Sequence, residues 1–201
     1  MLLHSNIFGE GKPFLILHGF LGMSDNWKSL GNKFAEVNFQ VHLIDQRNHG
    51  RSFHDDEFNY EVLVEDLKQY CDHHQLNDII LLGHSMGGII APAISAKNKV
   101  AGVVVYGTTA KSWFEYQIEM YRVQNALAGM NPIEVEQSVV EQYDLNYRYF
   151  VKKERLEDIA KDPKADSVLR MSWEYDGNGK IYSRNAEYWR QIQDYPHLEN
   201  W

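Results

Sequence analysis

Cysteine is almost missing from this chain: Cys71 is the only one in 201 residues. A single thiol cannot close an intramolecular disulfide, and without a cluster of Cys and His ligands no structural zinc or other metal site is expected. An excess of positive charge is missing too. With 20 Lys and Arg against 28 Asp and Glu the formal charge is -8, which argues against the clustered basic surface that phosphate binding requires and against nucleic acid as a partner. No apolar run approaches the roughly 20 residues needed to span a bilayer. The N-terminus, Met1-Leu2-Leu3-His4-Ser5-Asn6, lacks a basic segment followed by an apolar one. The expectation is a soluble, cytoplasmic protein with no membrane span. No internal repeat or low-complexity tract is visible.

What is present is alternation. Four short apolar runs, Pro13 to Leu17, Val41 to Ile44, Asp78 to Leu82 and Val100 to Tyr106, are bounded by Gly, Asp or Asn, as buried parallel strands are. Between them lie helical stretches, Asp25 to Val37, Tyr60 to Leu76 and Met86 to Lys97. In the second of these Val62, Leu63, Asp66, Leu67, Tyr70 and Cys71 place the apolar members at spacings of three and four, with acidic residues mostly on the other face. Strands alternating with helices predict a doubly wound α/β sheet. Pro92, six residues into the third helix, removes a backbone donor and predicts a bend there.

From about Ser112 the alternation stops. Trp113 to Ala128, Pro132 to Lys161 and Asn185 to Gln193 read as helices, with Pro132 suited to a helix start and Gly177-Asn178-Gly179 to a turn. The predicted division is a core over residues 1–111 and a mainly helical lid over 112–201. The aromatic set Trp113, Phe114, Tyr116, Tyr121, Tyr143, Tyr147, Tyr149, Phe150, Trp173, Trp189 and Trp201 fits core packing within that lid, with an acyl pocket as the alternative.

One pentapeptide carries chemistry. Gly83-His84-Ser85-Met86-Gly87 follows the apolar run Ile79-Ile80-Leu81-Leu82 and precedes Gly88-Ile89-Ile90-Ala91, the strand-turn-helix setting of a nucleophile elbow. The pattern alone recurs by chance, so the setting decides. It predicts a strained backbone at Ser85, with Gly83 and Gly87 leaving space that a side chain would fill. A serine hydroxyl needs a base to activate it, and the tetrahedral oxyanion formed on attack needs donors aimed at it. The Met86 backbone N–H, directly after the nucleophile, is one candidate donor. The other candidate comes from the loop Leu17-His18-Gly19-Phe20-Leu21-Gly22, the N–H of Phe20.

A third segment, Asp45-Gln46-Arg47-Asn48-His49-Gly50-Arg51-Ser52, closes the Val41 strand. Over residues 13–90 these three segments, in this order, resemble small bacterial carboxylesterases of the α/β-hydrolase superfamily. After residue 90 the match is poor, and natural divergence and a recombined chain both remain open as the reason. The resemblance implies an α/β-hydrolase fold: a mostly parallel sheet with helices on both faces and a helical lid. It implies a serine hydrolase acting on carboxylic esters or another small acyl substrate through Ser85, with no cofactor. It also implies that His18, His84, Arg47 and His49 are structural. Cys71, on an amphipathic helix, reads as a small core residue.

The same comparison predicts an acid and a histidine base after the elbow, in the order Ser, Asp or Glu, His. No carboxylate stands at Gly107-Thr108-Thr109, where the Val100 strand ends, and His197 is the only histidine after His84. Two readings stay open: a chain incomplete at its C-terminus, lacking the core strands that would follow the lid, or a hydrolase-like binding protein without a full triad. The first is favoured, because a sheet ending after four strands leaves an apolar edge uncovered. A peptidase, thioesterase or acyltransferase fits the same elbow.

Overall fold

A computed structural model describes residues 1–108, 110–196 and 199. The chain divides into two compact units, Met1–Ala110 together with Pro196 and Glu199, and Lys111–Tyr195. The first unit is built on five strands, β1 (Ser5–Phe8), β2 (Lys12–Leu17), β3 (Phe39–Ile44), β4 (Ile79–His84) and β5 (Val100–Tyr106), in the spatial order β1-β3-β2-β4-β5. β2 to β5 run parallel, and β1 is antiparallel to β3. All four expected strands are therefore in the sheet, and β1 is a fifth. Its four residues include Ser5 and Asn6, too short and polar a run to be read as a strand. It exists through register with β3, from Ser5↔Ile44 to Phe8↔Val41.

Parallel neighbours need crossovers, which are supplied by α1 (Lys28–Ala35), α2 (Tyr60–His73) and α3 (Met86–Ser95). The helices take opposite faces of the sheet. On one, Phe14, Ile16, Val41, Leu43 and Leu82 pack with Phe34 and Ala35 of α1. On the other, His42 hydrogen-bonds the hydroxyl of Tyr70 in α2 at 2.7 Å. α3, buried from Met86 to Ile94, lies against β4 and β5. Asn59 caps α2 by accepting from the Val62 amide, and Leu63, Leu67, Tyr70 and Cys71 form its buried face. Burial pushes the Cys71 thiol up to about 12, which keeps it protonated and makes it a packing residue. Pro92 sits inside α3 without ending it.

Two buried histidines make this unit sensitive to acid. His18 and His42 are almost fully enclosed, and burial is the main cause that lowers each from the ordinary 6.5 to about 4. The folded protein therefore holds both rings neutral between pH 6.5 and 4, while the unfolded chain protonates them. Stability is then complete above the unfolded value and falls as pH drops through that window, by about 3 kcal/mol for each ring at the lower end. Urea unfolding followed from pH 7 to pH 4.5 should show the loss.

The second unit contains α4 (Trp113–Leu127), α5 (Pro132–Asn146), α6 (Leu156–Ile159), α7 (Pro163–Ser172) and α8 (Ala186–Asp194), with two-residue strands β6 (Lys180–Ile181) and β7 (Arg184–Asn185) paired antiparallel. Capping boxes start α4 at Ser112 with Glu115 and α5 at Asn131 with Glu134. The expected helix from Pro132 to Lys161 is interrupted. α5 passes into a wider π-helical turn at Tyr147–Val151, and Lys153 turns left-handed at φ 58°. α7 was not foreseen, although Asp162 caps it by accepting from the Lys164 and Ala165 amides and Pro163 opens it. Tyr121, Tyr149, Phe150 and Trp173 are buried in this unit's core, and Trp113 stacks on Trp189 at its margin, ring centroids 5.1 Å apart. Tyr116, Tyr143 and Tyr147 are exposed. Trp201 lies outside the described residues.

Candidate active site

Ser85 stands in the turn between the end of β4 and the start of α3. Ser85 has φ 51° and ψ -115°, a conformation that L-residues rarely adopt. Its amide donates to the Tyr106 carbonyl at 3.1 Å, and its carbonyl accepts from Gly88 at 2.9 Å. The turn closes only because the flanking residues have no side chains. A Cβ on Gly83 would collide with the Gly87 backbone, and one on Gly87 would stand 2.8 Å from the carbonyl carbon and the Cβ of Leu17. Met86, buried, is the first residue of α3. Its amide is thus one of the first-turn donors that have no acceptor within the helix.

The loop after β2 lies beside this turn. A Cβ built on Gly19 would come within 2.9 Å of the Ser85 Cβ, so this loop and the elbow are adjacent. Phe20 follows Gly19, and its ring meets His49 at 5.8 Å and Phe58 at 6.2 Å. The Gly22 amide closes the loop on the Gly19 carbonyl at 2.9 Å. The three residues singled out from the sequence, Ser85, Met86 and Phe20, therefore stand on two neighbouring turns.

The histidines around the site are occupied elsewhere. His18 accepts from the Gln46 amide on Nε2 at 3.0 Å and meets the Gly19 carbonyl with Nδ1 at 2.7 Å. Both nitrogens are used, and burial keeps the ring neutral. His49 pairs Nδ1 with the Arg47 carbonyl at 2.9 Å and accepts from the Leu21 amide at 3.3 Å, which ties the Asp45–Ser52 loop to the Phe20 loop. His84 packs against Tyr106 and Trp27. Arg47 clamps Asp66 of α2 through Nε at 2.5 Å and Nη2 at 2.9 Å, and donates from Nη1 to the Glu57 carbonyl at 2.7 Å. The hydrogen bonds to Asp66 raise the guanidinium above its ordinary value.

Asp45 was not singled out, yet it organises the same loops. It accepts from the Ser24 amide at 2.6 Å and the Arg51 amide at 3.0 Å, with His4 at 3.2 Å. Burial alone would raise this carboxyl, but the two amides, the Ser24 hydroxyl and His4 together hold it below its ordinary value. A carboxylate at a strand end followed by Arg-x-His-Gly is the sequence signal that marks it.

Among the described residues no histidine or carboxylate hydrogen-bonds the Ser85 hydroxyl. After β5 the chain turns at Gly107, with φ 62°, into Thr108. Thr109 and His197 lie outside the described residues. Nor do the described residues include a group of three or more His, Cys, Asp or Glu that could hold a metal ion. No described helix is long and apolar enough to cross a membrane.

The profile of the alpha/beta hydrolase fold family matches residues 12–195. The chain belongs to that family. This α/β-hydrolase is 44% identical over 96 residues to a Saccharomyces cerevisiae protein provisionally named an alcohol acetyltransferase, a match covering 44% of this chain and 28% of that protein. It is 42% identical over 85 residues to a Haemophilus influenzae protein provisionally named an esterase/lipase, covering 42% of this chain and 29% of that one. The matched segments thus span less than a third of either relative. A solved esterase from a marine microorganism shares 35% identity at a TM-score of 0.51, with 78% of this chain and 66% of that chain covered.

Proposed function

We propose that this α/β-hydrolase cleaves carboxylic esters by acyl transfer through Ser85. The observation that carries the reading is the strained backbone of Ser85 at the head of a buried strand and the foot of a buried helix, held by two glycines that admit no side chain. Strain of this kind persists only where the surroundings enforce it. In the proposed reaction the Ser85 oxygen bonds to the ester carbonyl carbon and its proton leaves to a base. The Met86 and Phe20 amides donate to the oxyanion, the alcohol departs with the proton taken from Ser85, and water then adds to the acyl carbon, releasing the acid and returning a proton to the Ser85 oxygen. Residues 1–111 serve as the catalytic core and the helical segment from residue 112 as the lid. The naming of relatives as esterases and alcohol acetyltransferases supports an ester on one side of the reaction.

A second reading, a hydrolase-like binding protein, is favoured by one specific observation: His18 and His49 have their ring nitrogens engaged, and no described base reaches Ser85. Without a base, turnover falls to what oxyanion donors and binding alone supply, about 10³–10⁴ over water in a well-studied serine protease. A panel of p-nitrophenyl esters of increasing acyl length, with wild type and Ser85→Ala assayed in parallel, separates the readings. Hydrolysis above background that disappears in the variant is expected. Equal rates in the two proteins, or none in a folded wild type, would reject the enzyme reading.

A further inference from the structure

Leu21 adopts a backbone conformation that its own side chain opposes. The Gly22 amide, donating to the Gly19 carbonyl at 2.9 Å, closes a four-residue turn. Of its two central residues, Phe20 and Leu21, only Leu21 has a positive φ, 63°. That makes it a type II turn, whose third position ordinarily belongs to glycine or asparagine. A leucine there favours the type I turn, in which the Phe20–Leu21 peptide is turned over by a change of about 150° in ψ of Phe20. Leu21 is 68% exposed, so packing of its side chain does not hold it left-handed.

His49 supplies the missing restraint. Its Nδ1 faces the Arg47 carbonyl at 2.9 Å, an atom that can only accept, so Nδ1 carries the ring proton and Nε2 is left as an acceptor. Nε2 accepts from the Leu21 amide at 3.3 Å. In the turned-over peptide the Phe20 carbonyl oxygen would take the place of that N–H and set two acceptors against each other. One buried ring thus favours one turn and disfavours the other. The ring is itself anchored through Arg47 to Asp66 of α2, and it meets the Phe20 ring at 5.8 Å. The start of the turn has no slack, because Gly19 abuts His84 and Ser85. From this geometry we infer that His49 is a positioning residue: by holding the Leu21 amide it keeps the Gly19–Gly22 turn in its left-handed form, and so aims the Phe20 amide at the oxyanion formed on Ser85. This role rests on Ser85 being the nucleophile.

The rate at which a fluorophosphonate labels Ser85 reads this donor, because the phosphoryl oxygen takes the oxyanion's place. In His49→Ala the limiting rate of labelling should fall by about tenfold to a hundredfold, with the half-saturating probe concentration little changed, since a donor moved by about 1 Å is felt mainly in the transition state. Adding Leu21→Gly to that variant should restore most of the rate, because glycine takes a positive φ without help. Leu21→Ile, at an exposed position and with His49 intact, should slow labelling in the same way, since a β-branched residue resists the left-handed region. A general loosening of the fold would be neither undone by the glycine nor reproduced by the isoleucine. Should His49→Ala not fold, Leu21→Ile alone decides. A wild type that reacts at Ser85, with His49→Ala and Leu21→Ile reacting as fast, overturns the positioning role and leaves the nucleophile standing. So does a slowed His49→Ala protein that Leu21→Gly does not restore. A folded wild type unlabelled at Ser85 rejects the nucleophile, and the role of His49 with it.

Discussion

Gly87→Val is expected to lower the unfolding free energy by about 3 kcal/mol or more. Its cost arises because the clash is with backbone, not with the end of a flexible side chain. A Cβ at residue 87 meets the main chain of Leu17, the last residue of β2, which is itself locked between β3 and β4. Relief requires moving a buried strand or withdrawing α3 from the sheet, and either change spoils the turn that presents Ser85. The contrast is Gly102→Ala, at a position with open space around it, where the change should stay within about 0.5 kcal/mol. Urea midpoints for the two variants test the argument; a Gly87→Val protein as stable as wild type would show that the turn is not constrained as described.

Asp66→Ala should be destabilising by about 3–5 kcal/mol. Asp66 is a buried carboxylate on α2, and both its oxygens are held by the Arg47 guanidinium. Removing it leaves a buried cation with only the uncharged Glu57 carbonyl at 2.7 Å and the half-exposed Asp55 carboxylate at a distant 3.9 Å. The Asp45–Ser52 loop would loosen with it, because His49 and Asp45 in that loop hold the Leu21 and Ser24 amides in place. Replacing Arg47 and Asp66 together by apolar residues of similar volume should cost far less than the single change. Equal losses in the single and double variants would contradict this account of the pair.

The parts legible in the sequence are those fixed by local physics. β2 to β4 announce themselves because strands buried on both faces read as continuous apolar runs, and β5, exposed in part along its length, by its run of valines. α2 is visible in its three-four spacing, and the elbow in a pattern whose glycines have a steric reason. What escaped depends on distant partners. β1 is held by register with β3, far along the chain. Asp66 stood in the apolar stripe of α2, where a buried carboxylate calls for a cation, but its spacing does not say which one. The break after α5 has no glycine or proline to signal it; Arg148 holds it through the Glu154 carboxylate and amide, both at 3.0 Å. The candidate site divides the same way. Its proposed nucleophile and oxyanion donors are local features of two turns, whereas an acid and a base for Ser85 would be residues distant in sequence, which spacing alone does not identify.

The central claim is that Ser85 is a nucleophile presented by a strained turn, and covalent labelling addresses it without requiring turnover. The chain is incubated with a fluorophosphonate, and the mass of the intact protein and of its peptides is measured. One adduct, mapped to Ser85 and absent from a folded Ser85→Ala variant, is the predicted result. An unmodified wild type that is demonstrably folded, or an adduct on any residue other than Ser85, would contradict it.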